Sequence, residues 1–596
     1  MSATAEPPQT AQDAAGPLSH KEIVTILIGL MMGMFLAALD QTIVASAMRV
    51  IADDLNDLAG QAWVTTAYLI TATITTPLYG KLGDIYGRKK LFLFAISIFT
   101  IGSMLCTLSW SIPSLAAFRA VQGIGAGGLF SLALAIIGDI VPPRERAKYQ
   151  GYFLAVFGTS SVLGPVIGGF FAGQDTLLGI TGWRWVFLVN VPIAIAALFV
   201  VTRTLHLKHN RLDHRVDYWG AVSLSVALVP LLIVAEQGRG WGWASAIAIT
   251  CYAIGIAGMV AFFLIERSMG EEALIPLRLF ANRTVGAASV ASVFIGMGMF
   301  GGLAALPLYL QIVKGASATQ AGLMLLPMTL GIMSGSIFSG QLISRTGRYR
   351  VFPIIGSLLL VLSLFGFHYV NADTALWMTM IVMFFFGVGL GFNFQPLTLA
   401  VQNAVNRRDM GVATSSATFT RQIGGTLGTA VFLSILFSQA GSRISESFQS
   451  ASTSPEFLAA LKNPTGGNAA VNQQFIERIQ ASQSGGGGAI GTTALQDSSF
   501  INQLDPRLAR PFLVGFSDAM STVFLVASAI LVLALIATFF LPSVELSNGP
   551  ATPAAPAVPE EGDASEGDAV ATARQPVGGA TVRKVADDGP LPAPGH

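Results

Sequence analysis

The chain has 596 residues, of which 52% are hydrophobic and 11% charged, with a formal net charge of +1. A soluble domain carries about 25% charged residues, so a soluble globular protein is excluded, and no polybasic arm points to nucleic acid. Cys106 and Cys251 both fall within apolar stretches and offer no disulfide framework.

Residues 1–21 are polar and lack the pattern of a signal peptide. They are expected to be disordered, with the first span acting as its own uncleaved insertion signal. Continuous apolar runs of about 20 residues then follow, long enough to cross a hydrocarbon core of about 30 Å. Their backbone groups must pair internally, so they are helices. They lack the alternation of an outer-membrane barrel. The expected spans are Ile23–Met48, Ala62–Tyr79, Leu91–Ser109, Ile112–Ile140, Gly151–Ala172, Trp185–Val201, Tyr218–Ala235 and Ala244–Ile265. Six more follow at Val285–Leu310, Ala321–Ile343, Val351–Val370, Leu376–Leu399, Val412–Phe437 and Val514–Leu541. The connection 438–513 is polar and carries a glycine run at 485–488. Phe457–Leu461 and Gln474–Ile479 are candidates for short helices within it. Residues 542–596 are rich in Ala, Pro, Gly and acid, and cannot bury enough apolar surface to order.

Lys and Arg are unevenly distributed. One set of loops holds Lys81, Arg88, Lys89 and Lys90, then Arg144, Arg146 and Lys148, then Arg203, Lys208, Arg211 and Arg215. The same set continues with Arg267, Arg278 and Arg283, then Arg345, Arg348 and Arg350, then Arg407 and Arg408. The intervening loops hold little beyond Arg49, Arg184, Arg239 and Lys314. This bias predicts that the first set and both termini are cytoplasmic, in the inner (cytoplasmic) membrane, with 438–513 outside.

The loop Gly80-Lys-Leu-Gly-Asp-Ile-Tyr-Gly-Arg-Lys-Lys90 recurs in weakened form as Gly340-Gln-Leu-Ile-Ser-Arg-Thr-Gly-Arg348. Gly80, Leu82, Gly87 and Arg88 find counterparts in Gly340, Leu342, Gly347 and Arg348. Ser344 stands where the first copy has Asp84. The repeat predicts a duplicated six-helix bundle, 22–203 and 285–541, with an inserted helix pair in 204–284.

Gly80–Lys90 resembles the signature loop of the major facilitator superfamily. Leu39-Asp-Gln-Thr-Ile-Val44, Arg119-Ala-Val-Gln-Gly-Ile-Gly125, and Gly158 with Gly164-Pro-Val-Ile-Gly-Gly169 resemble motifs of its fourteen-span drug–proton antiporter branch. Trp183-Arg-Trp-Val-Phe and Asn190-Val-Pro192 also fit. Where that branch's first-span pattern ends on a proline, this chain has Arg49. The resemblance implies an all-α polytopic membrane protein with the major facilitator fold. It further implies an antiporter that exports hydrophobic or amphipathic small molecules, drugs above all, as a monomeric transport unit using protons, with no cofactor and no metal. A lipid, siderophore or secondary-metabolite exporter on the same scaffold is the alternative, and an integral-membrane enzyme or receptor a more distant one.

Asp40 lies deep in the first span, about 26 Å along the helix from Ile23. A carboxylate there is costly and functional by default, and it suits reversible protonation. The competing reading is a structural acid bonded to Gln41 or Thr42. Arg119 remains charged; the resemblance assigns it to proton coupling, against a plain clamp between helices. Asp84, Arg88 and Asp139, with Gly80 and Gly87, are implied to form a gating latch rather than a static loop clamp. Gly158, Gly164, Pro165, Gly168 and Gly169 are either an antiporter-specific bend or a packing kink. Gln41, Gln122, Phe294, Met297, Tyr309, Asn393, Gln395 and Arg421 are the candidates for a substrate cavity.

Gly123–Gly128 matches a dinucleotide fingerprint but follows no strand and lies within a span, which argues for close helix packing instead. The chain carries no P-loop. Of the six histidines, His206, His209 and His214 sit together in a cationic linker and read as a solvated segment.

Overall fold

The computed structural model describes residues 20–55, 61–141, 143–205, 217–406, 409–483 and 500–543. The expectations for both termini, for the histidine-bearing linker, for Arg407 and Arg408, and for the glycine run lie outside the described residues.

The first bundle consists of α1 (His20–Asp54), α2 (Gln61–Tyr86), α3 (Arg88–Thr107), α4 (Ile112–Ile140), α5 (Pro143–Ala172) and a sixth span. That span starts with a two-stranded hairpin, β1 (Thr176–Leu177) and β2 (Ile180–Thr181), then breaks into α6 (Trp185–Leu188) and α7 (Asn190–Thr204). The inserted pair is α8 (Tyr218–Trp241) and α9 (Ala246–Met269). After the short α10 (Arg278–Ala281), the second bundle comprises α11 (Arg283–Leu308), α12 (Ala318–Met324), α13 (Leu326–Thr346), α14 (Val351–His368), α15 (Leu376–Asn403) and α16 (Met410–Ala451). Then come α17 (Pro455–Lys462), α18 (Ala469–Gln483) and α19 (Pro506–Phe539).

Twelve helices among the described residues are long and apolar enough to cross a membrane. α2 and α8 complete the fourteen-helix arrangement but are less apolar. α2 is diluted by Thr65, Thr66, Thr71, Thr73, Thr75 and Thr76. The hydroxyls of Thr71, Thr75 and Thr76 donate to carbonyls one turn back and hide their polarity within the helix. α8 is apolar only over Tyr218–Val234.

Several expected boundaries shift; α2 runs on through Gly80–Tyr86 of the expected loop, and α5 starts at Pro143. The tenth span divides into α12 and α13, with a capping box between Ser317 and Gln320 starting the first part and Pro327 opening the second. α16 runs on from Phe437 to Ala451, because the end of an apolar stretch marks a change of surroundings and not a helix stop. Its 42 residues give roughly 63 Å of helix, about twice the hydrocarbon thickness. α19 begins at Pro506, capped by Asp505, well before the apolar run.

The two bundles repeat one packing scheme. α1 packs on α5, α2 and α3 on α4, and α7 on α1 and α3. In the second bundle α11 packs on α16, α13 and α14 on α15, and α19 on α11 and α14. Small residues bring these helices close. A Cβ on Gly123 or Gly127 would fall 2.4 Å from the Tyr68 or Ala72 carbonyl of α2, and one on Gly125 would fall 2.5 Å from the Ala95 carbonyl of α3. Between bundles, α2 packs on α16 and α5 on α13. The inserted α8 covers the first of these seams, where Leu224, Leu228 and Leu232 meet Ile70, Ile74 and Phe419.

Candidate functional site

Asp40 is fully buried, and four helices converge on it. Arg119 of α4 donates from Nη1 to Asp40 Oδ2 at 2.5 Å. Gln122, one turn along the same helix, donates to Asp40 Oδ1 at 2.9 Å, and Asn190 of α7 donates to the same oxygen at 2.8 Å. Ser103 of α3 accepts from both amides, at 3.1 and 3.0 Å, and donates to the Phe187 carbonyl. Arg119 also donates to Gln122 Oε1 at 2.7 Å, and its guanidinium lies 4.1 Å from the centre of the Tyr68 ring. Every group bonded to the carboxylate is a donor.

Neither bond of the competing structural reading is present. Thr42 turns away and donates to the Ala38, Leu39 and Ser160 carbonyls. Asn190, Ser103 and Tyr68 were not among the candidate site residues. They come from separate helices, and no spacing in the sequence links them to Asp40.

At the face where α2 joins α3, Arg88 bonds Asp84 at 2.8 Å and Asp139 at 2.6 Å and also donates to the Ala135 carbonyl. Gly87, at φ 99°, turns the chain between α2 and α3 in a conformation that side chains rarely adopt. Asp84 reaches into the second bundle as well, accepting the backbone N–H of Val412 at the start of α16 at 3.1 Å. There Gly80 is so close to α16 that a Cβ would fall 2.0 Å from Ser415 Oγ. Gln402 donates across to the Leu134 carbonyl, and Arg278 pairs with Asp409 at 3.0 Å. In the second copy Ser344 is half-buried and donates only to the Gln341 carbonyl of its own helix.

The antiporter-like segment forms one side of a clasp between α1 and α5. Gly164 sits against Thr42, and Gly168 against Ser46. Gly158 and Pro165 instead face the second bundle, at Thr329 and Gly322. Gly169 is exposed.

A cavity lies between the bundles, about 810 Å³ including its open mouth. The first bundle lines it with Met34, Gln41, Phe130, Leu134, Phe153 and Phe157. The second contributes Met299, Phe300, Phe394, Gln395, Thr398, Thr418, Arg421 and Gln422. Of the eight cavity candidates, Gln41, Gln395 and Arg421 are on its wall. Gln122 faces Asp40 instead. Asn393 donates to the Gly389 carbonyl and accepts from Ser357, which locks α15 to α14. Tyr309 is buried at the far end of the bundle, its hydroxyl donating to the Asn371 carbonyl. From α11 the cavity receives Met299 and Phe300 rather than Phe294 and Met297. Arg421 stacks its guanidinium 4.5 Å from the centre of the Phe394 ring. No group of His, Cys, Asp and Glu among the described residues is arranged to hold a metal ion.

Residues 30–429 match the family model described as "Major Facilitator Superfamily". The chain is 33% identical over 519 residues to Multidrug resistance protein 3 of Bacillus subtilis, covering 87% of this chain and 94% of that one. It is 34% identical over 424 residues to the Multidrug transporter protein MdtP of the same organism, with 71% and 77% covered. An uncharacterized MFS-type transporter of Mycobacterium tuberculosis is 33% identical over 541 residues, with 90% and 72% covered. Among solved structures, the proton:xylose symporter XylE superposes with a TM-score of 0.55 at 14% identity, covering 88% of this chain and 97% of that one. At that identity the likeness is one of fold.

Proposed function

Since the chain belongs to the major facilitator superfamily, we propose that this transporter is a proton-coupled exporter of hydrophobic or amphipathic small molecules working by alternating access. The observation that carries the reading is the buried Asp40–Arg119 pair, set one residue behind the cavity wall that Gln41 helps to form. A proton arriving from outside neutralises Asp40 and releases Arg119. The bundles then rock, the proton leaves to the cytoplasm, and the pair closes again. One charge crossing 100 mV supplies ~2.3 kcal/mol, a roughly fifty-fold concentration ratio.

Relatives named as multidrug and efflux proteins support the outward direction, as does the Lys and Arg bias, which in this reading puts the latch face in the cytoplasm. In this reading the described state has its cytoplasmic gate shut, since Asp84, Gly80 and Gln402 join the bundles at that face. In this reading the transport unit is a single chain, which is supported by both bundles and the cavity between them belonging to one polypeptide.

The test is export of a lipophilic dye from vesicles energised by a pH gradient, normalised to protein amount. Asp40→Asn is expected to abolish uphill export while leaving dye binding detectable, and Asp40→Glu to retain part of it with a shifted pH optimum. Full proton-driven export by Asp40→Asn would overturn the assignment.

A further inference from the structure

Arg421 is the one charged side chain among the described residues lining the cavity. Arg119 is neutralised by Asp40, and neither reaches the cavity surface. Arg421 forms no ion pair with any described acid; its guanidinium rests against the Phe394 ring. The cavity therefore carries a fixed, uncompensated positive charge in an otherwise uncharged enclosure. Nearby on α15, Gln395 is 4% exposed and its side-chain carbonyl has no hydrogen-bond partner.

A structural arginine in a membrane bundle is normally paired or tied to backbone carbonyls. This one is stacked on a ring and left with its donors toward the cavity, as a guanidinium awaiting a planar anion would be. A cationic substrate would meet like charge in a site of low dielectric, which costs far more than in water. A carboxylate would gain a charge-assisted hydrogen bond there, and an adjacent N–H or O–H could satisfy Gln395. Phe130, Phe153, Phe157 and Phe300 supply apolar walls for an aromatic body.

We propose that the cavity selects amphipathic aromatic monoanions, with Arg421 as the group that binds the anion and Gln395 as the acceptor for a neighbouring donor. This deepens the exporter reading, on which it rests for the statement that such anions are moved outward.

The experiment uses three probes with one fluorophore and one sulfonamide N–H: dansylglycine, an anion; dansylglycinamide, neutral; and dansylethylenediamine, a cation. Binding is measured by fluorescence anisotropy on the purified full chain in nanodiscs at neutral pH. The wild-type chain is expected to bind the anion at least about ten-fold more tightly than the cation, as a hydrogen bond between charged groups allows. Arg421→Gln should abolish that preference while holding the neutral probe within about three-fold, and Arg421→Lys should keep part of it. Equal or tighter binding of the cation by the wild-type chain would overturn the proposal even if Arg421→Gln failed to fold. So would a preference for the anion that survives in a folded Arg421→Gln. Transport of the neutral probe against its gradient separates the two readings. Pumping without charge preference sinks only the anion site, and charge preference without pumping of any probe sinks the exporter and leaves the site.

Discussion

Asp84 holds one partner in each bundle: Oδ1 takes the Arg88 guanidinium at 2.8 Å, and Oδ2 takes the Val412 N–H at 3.1 Å. Val412 belongs to the first turn of α16, whose exposed N–H groups form the positive end of the helix. The carboxylate thus caps a helix of the other bundle while bound to its own latch arginine. Ser344, its counterpart in the second copy, makes no contact between bundles through its hydroxyl.

The first prediction uses that asymmetry. Asp84→Asn keeps the shape but loses the charge that pairs with Arg88 and favours the α16 terminus. Hydrogen bonds to charged groups contribute about 1.5–3 kcal/mol each, so transport should fall by roughly ten-fold or more. Ser344→Ala should leave transport within about two-fold, since a hydroxyl bonded only within its own helix contributes little. Both variants must be compared at equal amounts in the membrane. Equal losses would reduce the two loops to insertion or packing roles.

What the sequence revealed depended on distance along the chain. The spans were legible because apolar length alone sets them, and the Asp84–Arg88 pair because four residues make one helical turn. Helix breaks and extensions were not, because hydropathy does not register a capping box at Ser317 or helix continuing past Phe437. Asn393 and Gln395 look equivalent in sequence, yet two residues on a helix are about 200° apart. One clamps α14 while the other lines the cavity. The depth of Arg421 hung on where α16 begins, and Asn190 could be joined to Asp40 only by the packing of α7 on α1.

The second prediction concerns the cap at the end of α16 remote from the latch. There Phe448, Phe457, Phe475 and Phe512 cluster under α17 and α18. Asp505 lies beneath them, 1% exposed. It accepts from the Arg507 side chain and from the backbone N–H groups of Arg507, Thr465 and Gly466. The Arg507 side chain foremost, then those N–H groups, hold its carboxyl well below the usual carboxylate range, against burial that pushes it up. A depressed carboxylate contributes stability that is complete above its unfolded value of about 4 and is lost as pH falls through the folded value. The cap should therefore resist proteolysis from neutral pH down to about 4 and open progressively below that. Asp505→Ala should open it at neutral pH, with a loss of roughly 2–3 kcal/mol. Proteolysis of the reconstituted protein with an acid-active and a neutral protease measures both. A cap in Asp505→Ala as resistant as wild type would refute the account.

The last prediction concerns Asn190, a positioning residue that acts through Asp40. Its amide donates to Asp40 Oδ1 at 2.8 Å and to Ser103 at 3.0 Å, with no exposure to solvent. Asn190→Leu keeps the volume and removes one donor from the carboxylate, leaving Arg119 and Gln122 in place. The loss of a hydrogen bond to the carboxylate, about 1.5–3 kcal/mol, should displace the pH of half-maximal proton-driven export. A residue that merely packed α7 on α1 would lower protein amount or maximal rate and leave the midpoint where it was. Asn190→Ser, small and still able to donate, should fall between wild type and Asn190→Leu. Export from energised vesicles across a pH series reads midpoint and maximal rate separately. A reduced rate with an unmoved midpoint would make Asn190 a packing residue and leave Arg119 and Gln122 to hold Asp40.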